Sequence, residues 1–152
     1  MNVLLDTNIL ARMAQPGTAA YQVALDATDA LGRRGDTPCL LPQVLYELWV
    51  VATRPAAVNG LGFSAAQATA ELARVQALFP LFADTPAIFP EWQRLVTAHA
   101  VMGRNAHDAR LVAAMTIHGL THILTFNVGH FARFPRITAL DPATVAPPPP
   151  AP

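Results

Sequence analysis

The sequence has no lysine and only one cysteine, Cys39. A single cysteine excludes an internal disulfide. Lying between Pro38 and Leu40 in a short apolar run, it suits a buried, inert thiol better than a nucleophile, which needs an electropositive, accessible setting. Charge is also scarce: 13% of residues are Asp, Glu, Lys or Arg, and ten basic against ten acidic residues leave a formal net charge of zero. A neutral chain has no bulk field to hold nucleic acid, so any such contact must be local. Long apolar runs are missing too, although the mean hydropathy is +0.32. The richest stretch, Leu40 to Thr53, is broken by Pro42, Gln43 and Glu47, short of the roughly 18 charge-free residues of a spanning helix. The opening MNVLLDTN shows no basic leader followed by an apolar segment. No membrane association and a cytoplasmic location are therefore expected.

What is present is enough apolar material for one core: 53% of 152 residues. Val3 to Leu5 reads as a strand that ends in Asp6-Thr7-Asn8, residues that commonly start helices. Helices are expected from Ala19 to Arg34, from Pro42 to Arg54 and from Ser64 to Phe79. A further pair should run from about Ala87 to Met102, on a stripe of Trp92, Leu95, Val96 and Ala100, and from His107 to His118. Strands are expected over Thr37 to Leu41, in the segment PLFADTP from Pro80, over His122 to Phe126 and over Ile137 to Leu140. This alternation implies an α/β sandwich around a mainly parallel sheet. Residues 1–140 form the expected domain. Residues 141–152, half of them proline, are expected to be an unpacked, polyproline-type tail.

Three carboxylates stand where a purely structural protein has little use for them. Asp6 ends a strand, so in a parallel sheet it points to the crevice at the carboxyl ends of the strands, where open α/β folds bind ligands; a plain helix cap is the alternative. Glu47 lies near the apolar stripe of its helix, formed by Val44, Leu48 and Val51. A carboxylate there needs a cation, a proton or a route to solvent. Asp108 opens a helix and either complements its dipole or faces the same crevice. Asn127 follows a strand, as turn residue or as oxygen ligand. Strand-end and helix-start residues of one sheet converge on one edge, and oxygen donors without a Cys or His cluster suit Mg²⁺ or Mn²⁺ rather than zinc. The five histidines lack zinc spacing; His107, next to Asp108, is the one of interest, with packing or capping as its plain role.

The segments LLDTNIL, YELW at Glu47, HDARLVAAM at Asp108 and LTFNVGHFARF resemble, in order, the four motif regions of PIN domains. The size of the chain and the TFN-x-x-H-F turn resemble VapC toxins of VapBC toxin–antitoxin pairs. The resemblance implies a PIN-like three-layer sandwich and a Mg²⁺- or Mn²⁺-dependent endoribonuclease neutralised by a VapB-type antitoxin. It implies Asp6, Glu47 and Asp108 as metal ligands, Thr7 and Asn8 in support, and Asn127 in a fourth position where members often carry Asp. That departure puts a second tightly held metal in doubt, and a catalytically weakened PIN-like binding or scaffold module is the alternative function. A phosphohydrolase that starts with a similar strand would need a second aspartate where Asn8 stands. Arg104, Arg110 and Arg133, beside the motifs, are the candidate RNA contacts, because arginine forks suit phosphate oxygens. The apolar helices from Pro42 and from Ser64 suggest a homodimer.

Overall fold

The computed structural model describes residues 1–146 and Pro152. Four short strands, β1 (Asn2–Leu5), β2 (Thr37–Cys39), β3 (His122–Leu124) and β4 (Thr138–Leu140), form one sheet in the order β2-β1-β3-β4. All three pairings are parallel, with Leu5 in register with Leu124 and Leu124 with Leu140. Val3, Leu4, Leu5, Ile123 and Leu124 have no exposed surface, as expected of short apolar strands covered on both faces.

Seven helices surround the sheet among the described residues: α1 (Thr7–Met13), α2 (Ala19–Arg33), α3 (Pro42–Thr53), α4 (Ala65–Leu78), α5 (Ile88–Ala98), α6 (Asn105–Ile117) and α7 (Pro142–Val145). Local chemistry sets several of their starts. The Thr18 hydroxyl accepts from the Tyr21 amide at the head of α2. Pro42 occupies the first turn of α3, and Ser64 and Gln67 form a reciprocal capping box on α4. α1 packs on α2 and α3, α3 on α4, and α5 on α6.

The expected three-layer PIN-like sandwich with a parallel sheet is what forms. Three local expectations differ from it. The segment from Pro80 is not a strand: it makes one parallel bridge, Leu81 to Leu40, and Leu81 stays 42% exposed, so its alternation covers no core. α5 ends at Ala98, because Ala100 takes a left-handed conformation (φ 47) and the Val101 amide closes onto the Val96 carbonyl. Ala100 is thereby exposed, outside the stripe of Trp92, Leu95 and Val96. The proline-rich stretch does begin to pack: Asp141 caps α7, whose Pro142 and Val145 are buried against α2, and the Arg34 guanidinium donates to the Val145 carbonyl. The expected polyproline run beyond residue 146 lies outside the described residues, apart from an exposed Pro152.

The sheet order creates the crevice. The chain leaves β1 for β2 on one side, while β3 continues to β4 on the other. Connections therefore diverge at the carboxyl ends of β1 and β3, the switch point where α/β sheets bind ligands.

Candidate metal centre

Asp6 is the first residue beyond β1 and Thr125 the first beyond β3, so the register that pairs Leu5 with Leu124 makes them neighbours. The Asp6 amide continues the ladder to the Leu124 carbonyl at 3.0 Å. Its carboxylate is held on both oxygens. Oδ1 accepts from the Thr7 amide at 2.7 Å, and Oδ2 accepts from the Thr125 hydroxyl at 2.7 Å and from Asn8 Nδ2 at 3.2 Å. Thr125, with no exposed surface, also accepts from Asn8 Nδ2 and from the Asn127 amide, while Asn8 Oδ1 accepts from the Phe126 amide. The start of α1 and the end of β3 are thus knotted together around one carboxylate.

Glu47 reaches the same place from the middle of α3. Its Oε2 accepts from the Thr7 hydroxyl at 3.0 Å and its Oε1 from Gln43 Nε2, one helical turn back, at 3.1 Å. The buried Gln43 also donates to the His107 carbonyl and accepts from Arg110, which ties α3 to the first turn of α6. Asp108, in that first turn, is held more loosely: its contact is His130 Nδ1 at 3.7 Å.

Asp6, Glu47, Asp108 and Asn127 line one cleft of about 540 Å³, together with Thr7 and Asn8. Burial pushes the Asp6 carboxyl above its ordinary range, against the hydrogen bonds from Thr125 and Thr7; the charges of Glu47 and Asp108 push it further. Asp108 is likewise raised, first by burial and then by Glu47, while His130 opposes the shift. Asp6 and Asp108 thus each feel another acid in the cleft. Among the described residues, no three acidic, histidine or cysteine side chains stand close enough to close a metal site as placed. The donor set itself fits a hard divalent cation: three carboxylates, none ion-paired to an arginine among the described residues.

The arginines are distributed differently from expectation. Arg104, Arg110 and Arg133 are not among the residues lining the cleft, although the charge of Arg133 reaches Asp108; Arg110 is spent on Gln43 and Asp84. Arg12 and Arg54 line it instead. They were legible as helical spacing, since Arg54 follows Glu47 by seven residues and Arg12 follows Asn8 by four. His107 offers its backbone carbonyl, whereas His130 lines the cleft beside Asp108. Thr125 and Gln43 carry no sequence signal of their own; only the strand register and the i, i+4 spacing to Glu47 point to them. Cys39 is fully buried, and burial pushes its thiol up to about 11, which fits an inert residue.

The PIN domain family model matches residues 3–137. The chain belongs to the PIN domain family. Among solved structures, the PIN fold here is similar to VapBC2 from Rickettsia felis bound to a DNA fragment from their promoter (17% identity, TM-score 0.69, 92% of this chain and 98% of that one). It is also similar to VapC20 from Mycobacterium tuberculosis, a sarcin-ricin loop cleaving toxin (16% identity, TM-score 0.63, 87% and 95%). A third is FitAcB from Neisseria gonorrhoeae (19% identity, TM-score 0.63, 93% and 98%). No curated protein sequence matches the chain. No helix among the described residues is long and apolar enough to cross a membrane.

Proposed function

We propose that this PIN domain is a Mg²⁺- or Mn²⁺-dependent endoribonuclease and acts as the toxin of a VapBC-type pair. The observation that carries the reading is the convergence of Asp6, Glu47 and Asp108 on one cleft at the carboxyl edge of the sheet, with Asn127 beside them. Asp6, Glu47 and Asp108 would hold the ion. When bound, a divalent cation polarises a phosphodiester and makes water a competent nucleophile at neutral pH.

The chain's own residues prepare that chemistry. Thr7, Asn8 and Thr125 occupy the inner lone pairs of Asp6 and orient the rest toward the cleft. Thr7 and Gln43 do the same for Glu47, the outer-shell support that fixes ligand geometry. Asp108 would complete the set from the first turn of α6, where His130 is its ion-pair contact among the described residues. Asn127 adds a neutral amide, so three negative charges balance one divalent ion and leave a second short of anionic ligands until a substrate phosphate arrives.

A VapB-type antitoxin as partner, RNA as substrate and a cytoplasmic site of action belong to the same reading, supported by the toxin–antitoxin complexes that share the fold. Self-association as a homodimer is supported by the apolar surface of α3 and α4, where Tyr46, Val50 and Leu78 are each more than half exposed. Sedimentation at micromolar concentration tests the dimer, and a monomer there counts against it. A second reading, a PIN module with weakened catalysis that serves as a binding scaffold, draws on the open spacing of the carboxylates. Incubation of single-stranded RNA with the protein in Mg²⁺ or Mn²⁺ separates the two. The ribonuclease reading expects cleavage that EDTA abolishes; cleavage at full rate in EDTA, or none with either metal, overturns it.

A further inference from the structure

A cleft built on three carboxylates repels a polyanion, and this chain has no net charge to offset that locally. Cations must therefore be supplied inside the cleft. Of the ten arginines only Arg12 and Arg54 line it. Among the described residues the ion-paired arginines are others, namely Arg74, Arg94 and Arg110. Arg12 meets only the neutral Gln15 Oε1 at 3.2 Å, and Arg54 donates to the Asn59 carbonyl at 3.2 Å.

Arg54 has two further marks of a binding residue. Its Nε is enclosed and meets no acceptor, so the protein leaves part of the guanidinium's hydrogen-bonding capacity unused. Its backbone is clamped by the loop that follows α3. The Leu61 amide returns to the Val51 carbonyl at 3.0 Å, and the Gly62 amide returns to the Arg54 carbonyl at 2.9 Å. Gly60 passes so close that a Cβ there would overlap the Arg54 carbonyl. With the backbone clamped and Nε enclosed, the terminal nitrogens of Arg54 are held at the cleft from a rigid base, which lowers the entropy lost on gripping a ligand. Seven residues separate Arg54 from Glu47, about 10 Å along a helix axis.

We infer that Arg12 and Arg54 bind backbone phosphates of the RNA strand flanking the scissile bond. The inference rests on the ribonuclease reading. Binding of a fluorescent single-stranded RNA to the Asp108→Asn protein, across a salt series, tests it. Arg54→Gln and Arg12→Gln should each weaken binding roughly tenfold and each reduce the slope of log affinity against log salt by about 0.7. Arg54→Lys should keep the slope and recover part of the affinity, and Arg33→Gln, on an exposed face away from the cleft, should change neither. Mn²⁺ affinity, measured calorimetrically on the same arginine substitutions with Asp108 intact, should stay unchanged. If Arg54→Gln fails to fold, the exposed Arg12→Gln carries the test alone. Unaltered RNA affinity and slope in the arginine variants, with normal cleavage by the Arg12→Gln, Arg54→Gln protein, would overturn the inference and leave the ribonuclease reading standing. Loss of binding to a poly-glutamate peptide without loss of RNA binding would also overturn it, by marking an acidic-protein site. Wild-type protein that neither binds nor cuts RNA would remove the ribonuclease reading itself.

Discussion

The two halves of the cleft are built to different tolerances. On the side of α1 and α3, Asp6 and Glu47 receive hydrogen bonds on every carboxylate oxygen. On the side of α6 and the turn after β3, Asp108 has one long contact to His130, and Asn127 stands exposed at the mouth. One half is preorganised and the other has room to adjust. In the proposed site, Asp6 and Glu47 would stay fixed while Asp108 would adjust to a bound ion.

The largest expected effect comes from removing a ligand on either side. Asp6→Asn and Asp108→Asn should each reduce RNA cleavage by about 100-fold or more, beyond what loss of an outer-shell partner costs. Lengthening is where the halves should part. Asp108→Glu should retain measurable activity because its surroundings have slack, whereas Asp6→Glu should not, and equal loss in both rates would break the comparison.

Next in size are the supporting residues. Thr125→Val removes the donor to Asp6 and the acceptor for Asn8 and the Asn127 amide, so Mn²⁺ affinity should fall about 10- to 100-fold. Stability should fall by about 1–3 kcal/mol from the unpaired buried groups, as read by urea denaturation. His130→Ala, on the looser side, should change Mn²⁺ affinity by a smaller factor than Thr125→Val; the reverse order would contradict the assignment of a rigid and an adjustable half.

A third prediction concerns pH and metal. Asp6 and Asp108 have folded values raised above their ordinary ones. Their contribution to stability is therefore complete below the ordinary carboxylate value of about 3.9. It is lost as the pH rises through the raised folded values. In EDTA, the Tm of wild type relative to Asp108→Asn should therefore decline as pH rises from 4 toward neutrality. Saturating Mn²⁺ should reverse the decline at neutral pH, by about 2.7 kcal/mol at one hundred times Kd. A wild-type minus variant difference that is flat with pH in EDTA would count against the electrostatic origin.

The smallest effect is expected at the mouth. Asn127→Asp adds a fourth negative charge and should tighten a second Mn²⁺ a few-fold without altering the first, which a two-site calorimetric fit would resolve.

Much of this cleft was legible in the chain. Val3 to Leu5 followed by Asp6-Thr7-Asn8 announces a strand ending at a turn that carries a candidate ligand, and Pro42 announces the helix that carries Glu47. These are local signals: an apolar run, a cap, a proline at a helix start. The bridge at Leu81 and the packing of Pro142 and Val145 on α2 were not legible, because both depend on which surface remains uncovered after folding. Thr125 escaped for a related reason. Its role comes from being in register beside Asp6, and register is a property of the sheet rather than of the segment. Neighbourhood in sequence to Asp108 and Asn127 points to Arg104, Arg110 and Arg133; Arg133 does lie near enough to Asp108 to act on its carboxyl, but none of the three lines the cleft. Arg54, seven positions after Glu47, lines the cleft by helical spacing instead.

The central claim is that Asp6, Glu47 and Asp108 together hold a divalent ion. Calorimetric titration of Mn²⁺ into the metal-free protein at neutral pH tests it most directly. One site of unit stoichiometry in the wild type, lost in Asp6→Asn and in Asp108→Asn, is the predicted result. No binding in the wild type, or undiminished binding in the Asp6→Asn protein, would contradict it.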